Sequence, residues 1–142
     1  MGTNSDHETT HISPTIYIIP GKPIPLARPR HSKHSVYDPQ KDIKEEVAWQ
    51  LLRQRKKPFS LVGPLELNAT FYMPIPKSTS KKNRAALANQ PHPIKPDLDN
   101  LIKFILDVAS GLLYKDDKSI AAITARKLYS EEPRTLFTLR KL

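Results

Sequence analysis

The sequence predicts an α+β fold in which two main helices pack on one face of a mixed sheet of about four strands. Strand-like segments with alternating polarity and helix-like segments with a 3.6-residue period both occur. Their order along the chain is strand, helix, strand, loop, helix, strand, strand, which differs from a regular series of parallel βα units. We expect residues 1–13 to form a disordered polar tail and residues 14–142 to form a single domain.

Four segments have the composition of β-strands. Residues 15–19 are β-branched and aromatic, and residues 65–73 alternate strictly between apolar and polar side chains. Residues 120–129 and 134–142 provide the other two strands. Because only the short segment 130–133 separates them, we expect these last two strands to pair as a β-hairpin.

Two segments have the spacing of amphipathic helices. Asp38 followed by Pro39 is a typical helix start, and one apolar face continues to about residue 55. The second helix is expected to run from about Asn100, with Asp97 or Asp99 as its N-cap. Its apolar arc consists of Leu101, Ile102, Ile105, Leu106, Val108, Ala109, Leu112 and Leu113. Residues 114–118 have the composition of a turn.

The overall charge favours a polyanionic partner. The chain has 23 Lys and Arg against 14 Asp and Glu, which gives a net charge of +9 and a pI of about 9.8. No apolar run approaches the roughly 18 residues of a membrane span, and residues 1–13 lack the apolar core of a signal peptide. The absence of cysteine excludes disulfides and thiolate metal sites. We therefore expect a cytoplasmic protein with no membrane partner.

Four acidic residues lie close to the second helix in this otherwise basic chain. Asp97 and Asp99 precede or open the helix, and Asp116 and Asp117 follow it. Lys103 is one turn beyond Asp99 on the same face. Carboxylates from two segments suit Mg²⁺ or Mn²⁺, and such ions support phosphodiester hydrolysis. Because the two segments are about four helical turns apart, they meet only if the next strand folds back along the helix or a second subunit supplies one of them.

Each of these residues also has a purely structural interpretation. Asp97 and Asp99 have the position of helix caps, and Asp116 and Asp117 have that of a solvated turn. Lys103 has the i,i+4 spacing of a simple ion pair with Asp99. Their joint occurrence favours the metal site.

Two basic segments accompany the acidic residues. Prolines hold residues 22–38 extended, and residues 74–95 form a long connection without any acid, in which residues 80–88 have the composition of a short helix. Cations on such segments bind phosphate oxygens. With one residue of the strand 120–129, the candidate DNA-binding residues are Arg28, Arg30, Lys33, Lys77, Lys81, Lys82, Arg84 and Lys127.

The central segment resembles the signature of the RusA family of Holliday-junction resolvases. The matching residues are Pro96-Asp97-Leu98-Asp99-Asn100-Leu101-Ile102-Lys103, then Asp107, Gly111 and Tyr114-Lys115-Asp116-Asp117. The resemblance covers most of residues 15–142 and is specific in this stretch. It implies a RusA-like fold and a homodimer that cuts four-way DNA junctions symmetrically with Mg²⁺. It also implies that Asp97, Asp99 and Asp117 bind the metal, with Asp116 as an acidic neighbour, and that Lys103 is catalytic.

Three functions are therefore compatible with the sequence. The first is a metal-dependent, structure-selective endonuclease that resolves junctions in DNA recombination and repair. The second is another Mg²⁺-dependent phosphohydrolase with an Asp-x-Asp site. In phosphatases of the haloacid dehalogenase kind that motif ends a hydrophobic strand, whereas here a proline-containing segment, residues 92–96, precedes it. The third is a basic nucleic-acid-binding protein without catalysis.

Overall fold

The computed structural model describes residues 14–56 and 61–142. These residues form, in order, β1 (Ile16–Pro20), β2 (Arg30–His31), β3 (Val36–Tyr37), α1 (Lys41–Gln54), β4 (Leu65–Pro74), α2 (Lys81–Leu87), α3 (Leu98–Ala109), a 3₁₀-helix (Asp117–Ser119), β5 (Ile120–Ser130) and β6 (Arg134–Lys141). The predicted tail, residues 1–13, lies outside the described residues. No helix in the described ranges is long and apolar enough to cross a membrane.

The main sheet has four strands in the order β1-β6-β4-β5. Strand β6 is antiparallel to both β1 and β4, whereas β5 is parallel to β4. The sheet is therefore mixed, and the predicted α+β class is confirmed. The apolar side of β4 is buried in the core through Leu65, Leu67, Ala69, Phe71 and Met73, as its alternating pattern predicts.

The predicted hairpin between the last two strands is wrong. Strand β4 lies between β5 and β6 and pairs with both. The turn after Ser130 therefore passes the end of β4, where Pro74 is opposite Ser130, and a proline there ends the ladder because it has no N–H. A short loop favours a hairpin only when no better strand competes for the position. Here β4, in which even Thr70 on the second face is buried, takes the central place.

Helices α1 and α3 cover one face of the sheet, as predicted. Val47 and Leu51 of α1 enter the same core as Leu101 and Ile105 of α3. The two helices contact each other, α1 lies against β1, and α3 lies against β5. Burial of these apolar arcs is the main stabilising contribution to the helices.

Helix starts differ slightly from the sequence prediction. Helix α1 begins at Lys41, and the Asp38 carboxylate instead accepts a hydrogen bond of 2.8 Å from the backbone N–H of Gln40. Asp38 thus closes the turn before the helix. Helix α3 begins at Leu98, with Asp97 in the N-cap position. The short helix expected within residues 80–88 is present as α2.

The basic segment 22–38 is more ordered than an extended loop. Strands β2 and β3 pair antiparallel, Arg30 opposite Tyr37 and His31 opposite Val36. The hydroxyl oxygen of Ser32 accepts a hydrogen bond of 3.1 Å from the backbone N–H of Ser35, which closes the turn. All residues from 28 to 37 are exposed, so this small basic hairpin projects into solvent.

Candidate metal and nucleic-acid site

The N-terminal end of α3 presents two exposed carboxylates. Asp97 holds the N-cap position, yet its side chain makes no capping hydrogen bond, and only its backbone carbonyl accepts from the N–H of Asn100, at 3.2 Å. Asp99 stands in the first turn, and its Oδ2 is 3.7 Å from Nζ of Lys103. The ion pair expected from the i,i+4 spacing of Asp99 and Lys103 is thus present. The side chain of Asp97, in contrast, does not cap the helix. Both carboxylates remain available to a ligand.

Asp117 is held by a tyrosine. The Tyr114 hydroxyl donates to Oδ1 of Asp117 at 2.9 Å, and the carbonyl oxygen of Leu106 lies 3.3 Å from the same hydroxyl. Because a hydroxyl has one hydrogen, the shorter contact to the charged acceptor dominates. Burial first, and then the hydrogen bond to Asp117, raise the pKa of Tyr114 well above its ordinary value. Tyr114 therefore stays protonated and fixes one oxygen of Asp117, while Asp117 itself is exposed.

Asp116 has a local structural role. Its Oδ1 accepts a hydrogen bond of 2.9 Å from the backbone N–H of Lys118, and Asp116 is the N-cap of the 3₁₀-helix. The turn interpretation thus describes Asp116, whose oxygen is already occupied by a backbone donor. Each aspartate of the pair therefore has one oxygen held by a donor, and Asp117 is the more exposed of the two.

One chain does not bring all of these carboxylates together. Asp117 lies beside Leu106, which is about two turns, or about 10 Å, along the axis of α3 from Asp99. In residues 14–56 and 61–142, no group of three or more acidic or histidine side chains is close enough to hold a metal ion. The donor chemistry suits Mg²⁺, since carboxylate oxygens are its preferred protein ligands. Asp97 and Asp99 therefore lie at the N-terminal end of α3, and Asp117 lies nearer its C-terminal end.

A lysine bridge joins α1 to the exposed face of α3. Nζ of Lys44 is 2.8 Å from Oδ2 of Asp107 and also contacts the carboxylate of Asp38. Burial lowers the pKa of Lys44, but the hydrogen bonds to Asp107 and Asp38 outweigh it, and the net shift is upward. The same hydrogen bond from Lys44 lowers the pKa of Asp38. The bridge fixes the turn after the basic hairpin relative to α3.

The basic hairpin is anchored next to Asp99. The backbone N–H of Leu26 donates to the carbonyl of Asn100 at 2.9 Å. The side chain of Gln40 accepts from the N–H of Ala27 and donates to the carbonyl of Pro25, each at 2.9 Å. Arg28 follows this anchored segment directly, so the hairpin begins beside the N-terminal end of α3.

The segment before α3 is attached to the outer edge of β5. Nζ of Lys127 donates to the carbonyls of Ile94 and Pro96, the latter at 2.7 Å, and the N–H of His92 donates to the carbonyl of Lys127 at 3.0 Å. The ring of His92 also packs edge-on against Tyr129, with centroids 4.7 Å apart. Lys127, predicted as a DNA contact, thus positions the backbone immediately before Asp97.

The other predicted DNA-binding residues fall into two groups. Arg84 forms an ion pair of 2.8 Å with Glu131 and donates to the carbonyl of Pro76 at 2.9 Å, so its guanidinium has a structural role. The remaining candidates are exposed on the hairpin or on the connection before α3: Arg28, Arg30, Lys33, Lys77, Lys81 and Lys82. These six cations are all exposed to solvent.

Sequence reasoning missed two residues that organise the site. Tyr114 stands three residues before Asp117, a spacing that a turn uses to bring a hydroxyl onto a carboxylate, and this signal is readable in the sequence. Lys44 falls on the polar side of α1 by helical period, and only the packing of α1 against α3 shows that it meets Asp107.

Comparison with known proteins identifies the family of the chain. The chain is 34% identical over 139 residues to the uncharacterized protein YqaN of Bacillus subtilis (strain 168). The aligned region covers 90% of this chain and 94% of that protein. The sequence profile of the family described as Endodeoxyribonuclease RusA matches residues 20–140, which include every candidate site residue named above. The chain belongs to the RusA endodeoxyribonuclease family.

Proposed function

We propose that this protein is a Mg²⁺-dependent, structure-selective endodeoxyribonuclease that resolves four-way (Holliday) junctions in recombination and repair. Mn²⁺ is the expected substitute metal. The observation that carries the proposal is the N-terminal end of α3, where Asp97 and Asp99 expose carboxylates without a capping role. Membership in an endodeoxyribonuclease family makes branched DNA the expected substrate.

The roles follow from the chemistry of the side chains. Asp97 and Asp99 would hold the metal from α3, and Asp117 would add the third carboxylate, with one of its oxygens oriented by Tyr114. Bound Mg²⁺ supplies an activated water and stabilises charge on the phosphate oxygens. Lys103, close to Asp99, would offset the negative charge that develops in hydrolysis.

The surroundings of this end of α3 suit a DNA backbone. Arg28 and the basic hairpin begin beside Asn100, and the connection with Lys77, Lys81 and Lys82 leads into Asp97. Lys and Arg contacts to phosphates release counterions, so the affinity for junctions should fall steeply as salt rises. A homodimer fits the substrate, because a four-way junction has approximate two-fold symmetry and needs two matched cuts.

The test compares Asp99→Asn with Asp42→Asn. Asp42 is an exposed carboxylate in the first turn of α1, so it controls for the loss of one surface charge. Cleavage of a synthetic four-way junction with Mg²⁺ should fall by about 10²–10³-fold in Asp99→Asn, while junction binding measured without metal should persist. Asp42→Asn should cleave as the unaltered protein does.

Three outcomes would overturn the proposal. Comparable cleavage of linear duplex would remove junction selectivity. Binding of junctions by the unaltered protein without cleavage in Mg²⁺ or Mn²⁺ would identify a non-catalytic nucleic-acid-binding protein. Equal loss of binding and cleavage in a folded Asp99→Asn protein would show that Asp99 contacts DNA or stabilises the N-terminal end of α3 and has no catalytic role.

A further inference from the structure

The basic hairpin, residues 28–37, exposes two large apolar side chains. Val36 is 61% exposed and Tyr37 is 49% exposed, although both belong to strand β3. Among residues 14–56 and 61–142, no side chain hydrogen-bonds to the Tyr37 hydroxyl, and no ring or guanidinium stacks on the Tyr37 ring. The ring is therefore open to a ligand from solvent.

The pairing of β2 with β3 decides which side chains share a face of the hairpin. Arg30 is opposite Tyr37, and His31 is opposite Val36. Directly opposite residues lie on one face of an antiparallel pair, and successive residues alternate between the two faces. One face therefore presents the Tyr37 ring with the Arg30 guanidinium beside it, and Val36 lies on the other face. A flat ring next to a cation suits a nucleic-acid base and the phosphate attached to it.

A chain of ionic contacts fixes Tyr37 relative to α3. Tyr37 directly precedes Asp38, whose carboxylate contacts Lys44, and Nζ of Lys44 is 2.8 Å from Oδ2 of Asp107. Asp107 is two i,i+4 steps from Asp99, which is about 12 Å along the axis of α3. Successive phosphates of one DNA strand advance by about 3.4 Å along the duplex axis. A base that contacts Tyr37 would therefore lie within a few nucleotides of a phosphate at Asp99.

The hairpin is also held at its tip and at its base. The N–H of Ser32 donates to the carbonyl of Ser35 at 2.7 Å, and the hydroxyl oxygen of Ser32 accepts from the N–H of Ser35 at 3.1 Å. At the base, the side chain of Gln40 bonds to the segment that precedes Arg28. From Arg28 to Lys33 an extended strand spans about 17 Å. The ring is thus carried on a projecting ribbon that is ordered before DNA binds, which lowers the entropic cost of a contact.

Branched DNA offers base faces that linear duplex withholds. Inside a duplex each base is paired and stacked on both sides, and removing it from the stack costs free energy. That cost is smallest where pairing or stacking is already lost, and the branch point of a four-way junction interrupts the stacking of its arms. An aromatic ring stacks on any base, because every base has a π-face. A ring placed at the branch point therefore recognises the shape of the DNA and not its sequence.

We propose that the Tyr37 ring stacks on a base that is unstacked at the branch point, while Arg30 binds the phosphate of that nucleotide, and that the basic hairpin thereby distinguishes branched from linear DNA. The inference rests on the proposed junction nuclease and names the residue that selects its substrate. Arg28 and Lys33, at the two ends of β2, are exposed and would bind the flanking phosphates.

The first test compares binding of a four-way junction with binding of linear duplex, measured by fluorescence anisotropy without divalent metal. Tyr37→Ala should weaken junction binding by about 5–100-fold, the range of one base–aromatic stack, and should leave duplex binding nearly unchanged. Tyr37→Phe keeps the ring and should bind as the unaltered protein does. Val36→Ala removes an exposed apolar side chain from the other face of the same hairpin, so it is the matched control and should also bind normally.

The outcomes separate this inference from the proposed function. Equal losses on both DNAs from a folded Tyr37→Ala protein would make Tyr37 a general backbone contact, and no loss on either DNA would remove it from the interface. Either result would overturn the inference. An unaltered protein that bound the junction without cleaving it in Mg²⁺ or Mn²⁺ would overturn the nuclease, and the comparison of the Tyr37 variants would still decide the role of the hairpin.

The second test detects the stack directly. Iodouracil in DNA cross-links under ultraviolet light to an aromatic ring that lies against it, and mass spectrometry identifies the modified residue. A junction with iodouracil at the branch point should cross-link to Tyr37, and to the ring that replaces it in Tyr37→Phe. A junction with iodouracil in the middle of one arm should not. Equal cross-linking of Tyr37 from the two positions, or cross-linking from the branch point only to other residues, would contradict stacking at the branch.

Discussion

The replacement Tyr114→Phe removes the hydroxyl that fixes Asp117 and leaves the buried ring in place. Tyr114 is fully buried, so the substitution tests the hydrogen bond without opening a cavity. A hydrogen bond to a charged group contributes about 1.5–3 kcal/mol. Asp117 is exposed and can recruit water, and the Leu106 carbonyl keeps its bond from the N–H of Ser110. We therefore expect the free energy of unfolding at pH 8 to fall by about 1 kcal/mol, below the usual range.

The pH dependence gives this prediction a second readout. The pKa of Tyr114 is raised in the folded protein from its ordinary value of 10.0. Above pH 10 the unfolded chain releases this proton while the folded chain keeps it, so stability is lost as pH rises, by about 1.4 kcal/mol per pH unit. Tyr114→Phe has no such loss. The difference in the free energy of unfolding between the two proteins should therefore shrink above pH 10. It should disappear at about pH 11, which is on the order of one pH unit above the ordinary pKa.

Urea unfolding followed by far-ultraviolet circular dichroism measures both quantities. Circular dichroism is preferable to fluorescence because the single tryptophan, Trp49, is 65% exposed. Other tyrosines titrate equally in both proteins and cancel in the difference. A stability difference that stays constant from pH 8 to pH 11 would refute the inference that Tyr114 is held protonated. In the cleavage assay, Tyr114→Phe should retain junction binding and require a higher Mg²⁺ concentration, because Asp117 loses the group that orients it.

Two further predictions concern the shell around the site. Lys44→Met should lower the free energy of unfolding by about 1 kcal/mol, since it leaves Asp107 and Asp38 without their shared cation. Lys41→Met, at an exposed position on the same helix, should change the free energy of unfolding little in urea titrations. Equal effects of the two substitutions would refute a specific bridge. Burial first, and then the charge of Lys127, lower the pKa of His92 below its ordinary value of 6.5. The contribution of His92 to the free energy of unfolding is therefore fully present above pH 6.5. It is lost as the pH falls through the lowered pKa of the folded state, because the unfolded chain takes up the proton first. His92→Phe should weaken that fall in urea titrations from pH 7 to pH 4, and an unchanged acid profile would contradict the assignment.

Local pattern was enough to find most elements but not their pairing. The alternation of residues 65–73 and the apolar arc of α3 predicted β4 and a buried helix because both depend on side-chain period alone. The pairing of β5 was missed because a short loop is a local signal, whereas the preference of β4 for two neighbours is a property of the whole sheet. The contacts of the candidate site divide in the same way, into those set by local spacing and those set by packing between elements. Asp99 and Lys103 are neighbours by helical spacing, but the bond between Lys44 and Asp107 depends on packing between α1 and α3.

The topology also explains why the carboxylates separate. Strands β4 and β5 are parallel, so the connection that contains α3 must return the chain to the starting side of the sheet, and α3 runs opposite to both strands. Asp97, which enters the helix, and Asp117, which enters the next strand, must then lie at opposite ends of this unit.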